Sequence, residues 1–459
     1  MKKNIAIFGG SFDPPGLHHR SIVEELTKHF DQVIVVPCGP RPDKTTTVDP
    51  VHRAAMVDAT FRGIKNVEVE LFDLENATFT RTHQLEERFR ERGEIWHVIG
   101  TEWICGASQG KSAIELSWER GSEVWKELQF VIVTRQGFEY DPKDLPPRHR
   151  LLNLKFVGSS EKIREEMFRH RSINRLVTLE VEHYIKRYGL YRGRIPNRMT
   201  RYNLAEPKLK LVLDERNPKS IELAKVFKKF ENTSEPNCIL VIGGDGTMLH
   251  AIRQNWRLRL PFLGVNAGHL GFLLNDPKEI LSIDFPPKDL ILRQMPLLYV
   301  ETETENGIKQ SELAFNDTWV ERATSQTAWL EVKLNGQVKL QKLIADGVLV
   351  ATAAGSTAYA RAMGAMPLLA DTPALLLVGS NVLNPPNWKS ALLSYDAEIT
   401  IRNLDPTNQK RPLNGYVDGL SQGRVKSMFI RVSRIAAAEI AFYPDHDMAE
   451  KIAQIQFPQ

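Results

Sequence analysis

Several short runs of this 459-residue chain combine glycines with hydroxyl, imidazole, acid or amide side chains in orders that suit phosphate chemistry. Gly9, Gly10, Ser11 and Phe12 open the run GGSFDPPGLHHR, which reaches His18 and His19 where a helix would begin. Glycines let a ligand approach the backbone, and the N–H groups of a helix start attract anions. Histidines there donate to phosphate oxygens, although the run also fits a plain strand–turn–helix with exposed imidazoles. Ser159, Ser160 and Arg164 offer hydroxyls and a guanidinium at a second helix start. That set suits a triphosphate, or equally a serine N-cap beside a solvated arginine.

Further along, Gly243, Gly244, Asp245, Gly246 and Thr247 follow an apolar strand. Asp245 at the strand's carboxyl end is placed to act as a general base, or as a turn residue. Three more runs follow: LPFLGVNAGHLGFL with Asn266, AFNDTWVER with Asn316 and Asp317, and DGVLVATAAGSTAYARAMG with Asp346, Gly355, Ser356, Thr357 and Tyr359. An amide–acid pair ending an apolar run can clamp ribose hydroxyls or an adenine edge. Each run alone could be turn chemistry; four in this order over about 115 residues are harder to dismiss.

Two sets of elements must position these groups. Residues 1–192 alternate strands, at 4–8, 32–37, 67–71, 95–100 and 130–134, with helical segments near 19–30, 50–62, 79–92 and 112–127. Apolar strands without alternation indicate a parallel sheet covered on both faces. The expected fold is α/β, a doubly wound Rossmann-like sheet whose ligand sits at the strands' carboxyl ends. Residues 193–205, GRIPNRMTRYNLA, are polar and carry Pro196, which reads as a linker. From 206 to 459 a second domain is expected. It has a small α/β part, with strands at 209–213 and 238–242 around a helix at 218–230, and a β-rich part with a hairpin turn at Asn335–Gly336.

Composition narrows the class. Hydrophobic residues at 42% and charged residues at 25% are ordinary for a globular protein. A net charge of +4 gives no support for nucleic-acid or membrane partners. Cys38, Cys105 and Cys238 are widely spaced and suggest no metal set, so a reduced, cytoplasmic setting is expected. No apolar stretch of about 18 residues is present to span a bilayer.

Residues 3–192 resemble the nicotinate/nicotinamide mononucleotide adenylyltransferases. GGSFDP stands intact at Gly9–Pro14, and YGLY at Tyr188–Tyr191. Lys44 and Arg53 fall where that family has basic residues; Gly100, Thr101 and Glu102 resemble its Gly-x-Asp strand end. Trp118 resembles a tryptophan stacking near the nicotinamide, with an ordinary core aromatic as the other reading. The family's His-x-Gly-His becomes Gly16-Leu17-His18-His19, and its closing Ser-Ser-Thr has Glu161 for threonine. Two outcomes stay open: His18 swings to replace the missing imidazole, or the domain senses nucleotide without catalysis. A phosphopantetheine acceptor is disfavoured by the closing run.

Residues 208–445 resemble the NAD kinases, through GGDGT, NxGxLGFL, Asn–Asp, the DG…GSTAY run and a late VDG at Val417–Gly419. Ala353–Ala354 replaces a frequent Pro-Thr. The resemblances imply that His18, His19 and Arg164 cradle ATP, and that Asp245 activates the adenosine 2′-hydroxyl. They imply that Gly243, Gly244, Gly246 and Thr247 hold phosphates and that Asn316 and Asp317 hold adenosine. Asp346, Thr357 and Tyr359 would line the dinucleotide pocket. Together they imply a bifunctional transferase that uses ATP and magnesium, takes nicotinamide mononucleotide, makes NAD as intermediate and NADP as product, and forms a homo-oligomer.

Overall fold

Parallel strands buried on both faces build the first sheet. The chain is described from a computed structural model covering residues 2–134, 138–154, 158–193, 199–278, 285–406 and 410–457. It divides into two compact units, Met1–Asn197 and Arg198–Gln459. In the first, β1 (Asn4–Gly10), β2 (Gln32–Pro37), β3 (Val67–Val69), β4 (Glu94–Gly100), β5 (Phe130–Val133) and β6 (His149–Leu152) lie in the order β3-β2-β1-β4-β5-β6. Every pair is parallel. Side-chain alternation sends Ala6, Val33, Val35 and Val98 to one core and Ile5, Ile7, Ile34 and Ile95 to another, on opposite faces of the sheet. Strand order reverses between β1 and β4, so the crevice for a ligand opens beyond Gly10 and Gly100.

Several expected elements shift. The helix expected at 19–30 is Leu17–Leu26, and that at 112–127 is two helices, Ala113–Ser117 and Gly121–Glu127. The break falls at Arg120, whose φ is 58°. The sixth strand, β6, was not anticipated, because only Leu152 of HRLL is buried.

The second unit begins inside the expected linker. Residues 194–198 lie outside the described residues, but Met199–Tyr202 forms β7, antiparallel to β11 (Leu290–Thr304) from Tyr202↔Leu290 to Met199↔Arg293. The linker reading is therefore corrected: MTRY is an edge strand, polar because it is only partly buried. Strands β8 (Leu209–Leu213), β9 (Cys238–Gly243) and β10 (Phe262–Asn266) pair in parallel and form the α/β part with the Pro218–Phe227 and Asp245–Asn255 helices.

The β-rich part comprises β12 (Lys309–Ala314), β13 (Asp317–Arg322), β14 (Ala328–Leu334), β15 (Gln337–Ala345), β16 (Gly347–Thr352), β17 (Ala374–Ser380), β18 (Ala391–Ser394), β19 (Ile399–Asn403), β20 (Leu413–Val417) and β21 (Leu420–Phe442). Strand β21 joins the parts, pairing with β20, β19 and β11 and, near its end, with β10. Asn335 and Gly336 link β14 to β15 with φ of 51° and 76°, the positive pair that a two-residue hairpin requires. No helix among the described residues is long and apolar enough to cross a membrane.

Candidate functional site

In the first unit the two distant runs meet. Ser160 Oγ donates to the Pro14 carbonyl at 2.8 Å, and Arg164 Nη1 to the Asp13 carbonyl at 2.5 Å. Ser159 Oγ accepts from Lys162 N at 3.1 Å and caps its helix. Asp13, 3% exposed, takes Thr47 N–H at 2.6 Å and the Tyr191 hydroxyl at 2.8 Å. Burial and the Asp13 charge push the Tyr191 phenol far up, so it remains a donor. The YGLY ending thus staples the opening loop in place, with Gly189 at φ 62° ending the preceding helix.

The two histidines sit side by side, ring centroids 3.8 Å apart. Gly16 N–H donates to His19 Nδ1 at 3.0 Å. In a neutral ring that leaves the proton on Nε2, the donor form a phosphate oxygen needs. Phe12, held at φ 45°, packs edge-on against His19. The altered histidine box has a spatial answer. A Cβ built on Gly16 would lie 2.6 Å from His18 Nδ1, and one on Gly158 2.9 Å from the same atom. The His18 imidazole therefore fills the space a side chain at position 16 would take.

Other expected residues take different places. Arg53, 1% exposed, donates through Nε to Ser11 O at 2.9 Å and through Nη2 to Cys38 O at 2.6 Å. A buried guanidinium that holds these two carbonyls positions the Ser11 loop. Lys44 is exposed. Gly9 has open space where a Cβ would go, whereas a Cβ on Gly10 would press the Phe12 ring at 3.1 Å. Glu102 folds back over Gly100, where any Cβ would collide with its carboxyl. Trp118 packs edge-on against Trp103 at 5.3 Å, half-buried against the Ile99, Ile104 and Ile114 cluster.

The second unit converges similarly. Gly243 and Asn266 end neighbouring parallel strands. Asp245 starts the following helix, its carboxylate accepting Phe272 N–H at 3.0 Å and Leu273 N–H at 2.9 Å. Burial pushes this carboxyl up, against the pull of those two amides and of Lys451. Gly244 and Gly246 have nothing within 4 Å of a built Cβ, so packing does not require glycine there, whereas Gly243 makes room for Thr247. Asn266 shapes its own turn, Oδ1 accepting Gly268 N–H at 3.0 Å.

Asp418, of the late VDG, organises the remaining motifs. Its carboxylate accepts the N–H groups of Phe315, Asn316 and Asp317 at 2.7, 2.8 and 3.2 Å. Its carbonyl receives Arg253, from the helix begun by Asp245, at 2.9 Å. Thr352 Oγ1 donates to Phe315 O at 2.8 Å and accepts Gly355 N–H at 3.0 Å. A Cβ on Gly355 would lie 2.1 Å from Asn316 O, so only glycine lets the GSTAY run approach Asn316. The Asn316 Oδ1 is buried and has no hydrogen-bond partner among the described residues.

Asp317 is 4% exposed, and burial together with the Asp418 charge pushes its carboxyl up to about 7. A carboxyl raised in the folded state adds stability at acidic pH, lost as pH rises from about 4 through about 7. The melting temperature should therefore fall between about pH 4 and 7, and Asp317→Asn should flatten that fall. Thermal melts across this range check it; parallel pH slopes for variant and wild type would refute the assignment.

A cleft of about 480 Å³ lies alongside, lined by Trp319, Arg322, Asp346, Tyr359 and Asn414 among others. Tyr359 meets the Trp319 ring edge-on at 5.1 Å, and Tyr416 stacks on that ring at 4.8 Å. Asp346 pairs with Arg322 Nε at 2.6 Å and accepts from Asn381 at 2.7 Å. Thr357 bends onto Ala354 O at 3.4 Å. Sequence reasoning missed Asp13, Thr352, Trp319 and Arg322 as site residues. Asp418 was visible only as part of the VDG run.

Comparison with known proteins supplies the frame. A cytidylyltransferase-like family model matches residues 7–168, and an ATP-NAD kinase N-terminal domain model matches residues 165–280. The chain is 33% identical over 252 residues to the NAD kinase of Rickettsia bellii (strain OSU 85-389), covering 54% of this chain and 98% of that protein. It is 34% identical over 255 residues to the NAD kinase of Rickettsia felis (strain ATCC VR-1525 / URRWXCal2), with coverage of 54% and 98%. The crystal structure of yeast NADH kinase complexed with NADH superposes with a TM-score of 0.42 at 14% identity, covering 100% of this chain and 89% of that one, which is too distant to carry an argument.

Proposed function

The chain belongs to the NAD kinase family and carries a cytidylyltransferase-like domain ahead of the kinase part, and from that premise we propose that it catalyses two successive steps. The first unit transfers adenylyl from ATP to nicotinamide mononucleotide. The second phosphorylates the resulting NAD at its adenosine 2′-hydroxyl.

In the first step a mononucleotide phosphate oxygen attacks the α-phosphorus of ATP, and the bond to the leaving pyrophosphate breaks. No side chain forms a covalent intermediate; the unit positions the reactants and offsets developing negative charge. The observation that carries this step is the His18 ring beside Gly16, which keeps two imidazoles at the helix start although the box is permuted.

In the second step the 2′-oxygen attacks the γ-phosphorus of ATP, ADP leaves, and Asp245 takes the hydroxyl proton. Each Asp245 oxygen accepts one amide and keeps a lone pair for that proton. Asn316 Oδ1 supplies an acceptor for adenosine. Magnesium, when bound, neutralises phosphate charge.

The product of one unit is the substrate of the other, so a shared chain raises its local concentration at the second site. Because NAD, not its acid analogue, is then phosphorylated, the first unit should prefer nicotinamide over nicotinate mononucleotide. Pyrophosphate release from ATP with each mononucleotide tests both points. Release that is faster with the nicotinamide form is expected. Preference for the acid form would overturn the substrate assignment, and release with neither would overturn the first step.

A further inference from the structure

The loop that holds Asp245 is gripped from its other side by the end of the chain. Asp245 takes the N–H groups of Phe272 and Leu273. Lys451 Nζ, on the Met448–Gln456 helix, donates to the carbonyls flanking them, Gly271 O at 2.6 Å and Leu274 O at 2.9 Å. One turn of backbone is thus clamped between an anion and a cation, each using the peptide groups of the matching polarity. Asn275 extends the grip, its Oδ1 accepting Tyr443 N–H at 2.9 Å and its Nδ2 donating to Gly264 O and Ala441 O at 3.0 and 3.1 Å.

The helix carrying Lys451 is itself anchored. Asp447 caps its start, and Met448 and Ile452 are buried. Met448 Sδ accepts Ala370 N–H at 3.3 Å, and Arg361, just beyond the GSTAY run, donates to Ile455 O at 3.3 Å. The same helix therefore touches the loop under Asp245 and the segment that follows the GSTAY run.

We propose that Lys451 is a positioning residue for the kinase reaction: it fixes the 271–274 loop, and through that loop the aim of the Asp245 carboxylate. The proposal rests on Asp245 acting as the base for NAD phosphorylation. Electrostatics supports the geometry. Lys451 draws the Asp245 carboxyl down against the rise caused by burial. Burial, Lys451 and Arg293 hold His446 down at about 4, with a hydrogen bond to the Phe272 backbone and the Asp447 charge opposing. With His446 held neutral, Lys451 is the charged neighbour that acts on the Asp245 carboxyl.

The test uses the full chain with Lys451→Met and Lys451→Arg, assayed for NAD phosphorylation with ATP and magnesium from pH 5.5 to 9. Lys451→Met should lower kcat about 10- to 100-fold with little change in KM, as expected for a misaimed catalytic group. The acid limb of its kcat profile should move to higher pH, because a neutral side chain no longer draws the carboxyl down. Lys451→Arg keeps the charge and two donors and should restore most of the rate and the limb. Faster amide exchange at Phe272 and Leu273 in Lys451→Met would report the loosened loop even if turnover is too low to profile. Wild-type kcat and limb in Lys451→Met, or a lowered rate with unmoved limb and unchanged exchange, would overturn the proposal. Asp245→Asn separates the two failures. If it retains full phosphorylation, the base assignment is wrong; if it is inactive while Lys451→Met is normal, only the Lys451 role falls.

Discussion

Asp245→Asn should lower the turnover of NAD phosphorylation by about 10²- to 10⁴-fold, the range a positioned general base contributes, while pyrophosphate release by the first unit stays at its wild-type rate. The effect is expected to fall on kcat more than on KM, because the carboxylate acts on the proton lost in the transition state. Asparagine keeps the size and one accepting oxygen, so it can still receive either Phe272 or Leu273 N–H, but not both. The lost acceptor costs about 1–3 kcal/mol of stability. A thermal melt measures that loss separately from the chemistry. Burial raises the wild-type carboxyl, bringing its proton affinity closer to the working pH and improving it as a base. A variant that phosphorylates NAD at more than a tenth of the wild-type rate would remove Asp245 from that role.

The histidine pair should show the second large effect. His18→Ala and His19→Ala should each lower dinucleotide synthesis by about 10²- to 10³-fold, the cost of removing one preorganised donor to developing negative charge. Phosphorylation of supplied NAD should be unchanged in both. A sharper form of the experiment exploits the permuted box. Gly16→His alone should be impaired, since its Cβ would lie 2.6 Å from His18 Nδ1 and 2.9 Å from Ile163 Cδ1. Adding His18→Gly to it vacates the space and should recover synthesis. Steady-state pyrophosphate release measures all four variants. If the double variant were no better than Gly16→His, His18 would not be standing in for a position-16 imidazole.

What the sequence disclosed follows from burial and locality. Strand β2 was legible at its full length because Val33 to Val36 are buried and consecutive. Strand β6 and the edge strand Met199–Tyr202 were not, because most of their side chains face solvent or lie only partly buried and carry no strand period. The motif runs marked both candidate sites, since glycine turns and helix starts are local features. Their supports were hidden because they act across long separations. Tyr191 reaches Asp13 over 178 residues, Asp418 reaches Asn316 over 102, and Lys451 reaches Gly271 over 180. Arg53 was legible as a basic residue, but its grip on the Ser11 and Cys38 carbonyls was not, since it joins segments 42 and 15 residues away.

The account's central claim is that one chain makes NAD and then phosphorylates it. The most direct measurement supplies the purified protein with ATP, magnesium and nicotinamide mononucleotide, and follows both dinucleotides over time. NAD should appear first and NADP after it, with no NAD added. Phosphorylation of added NAD together with no NAD formed from the mononucleotide would contradict the claim and leave the first unit a nucleotide-binding partner of the kinase.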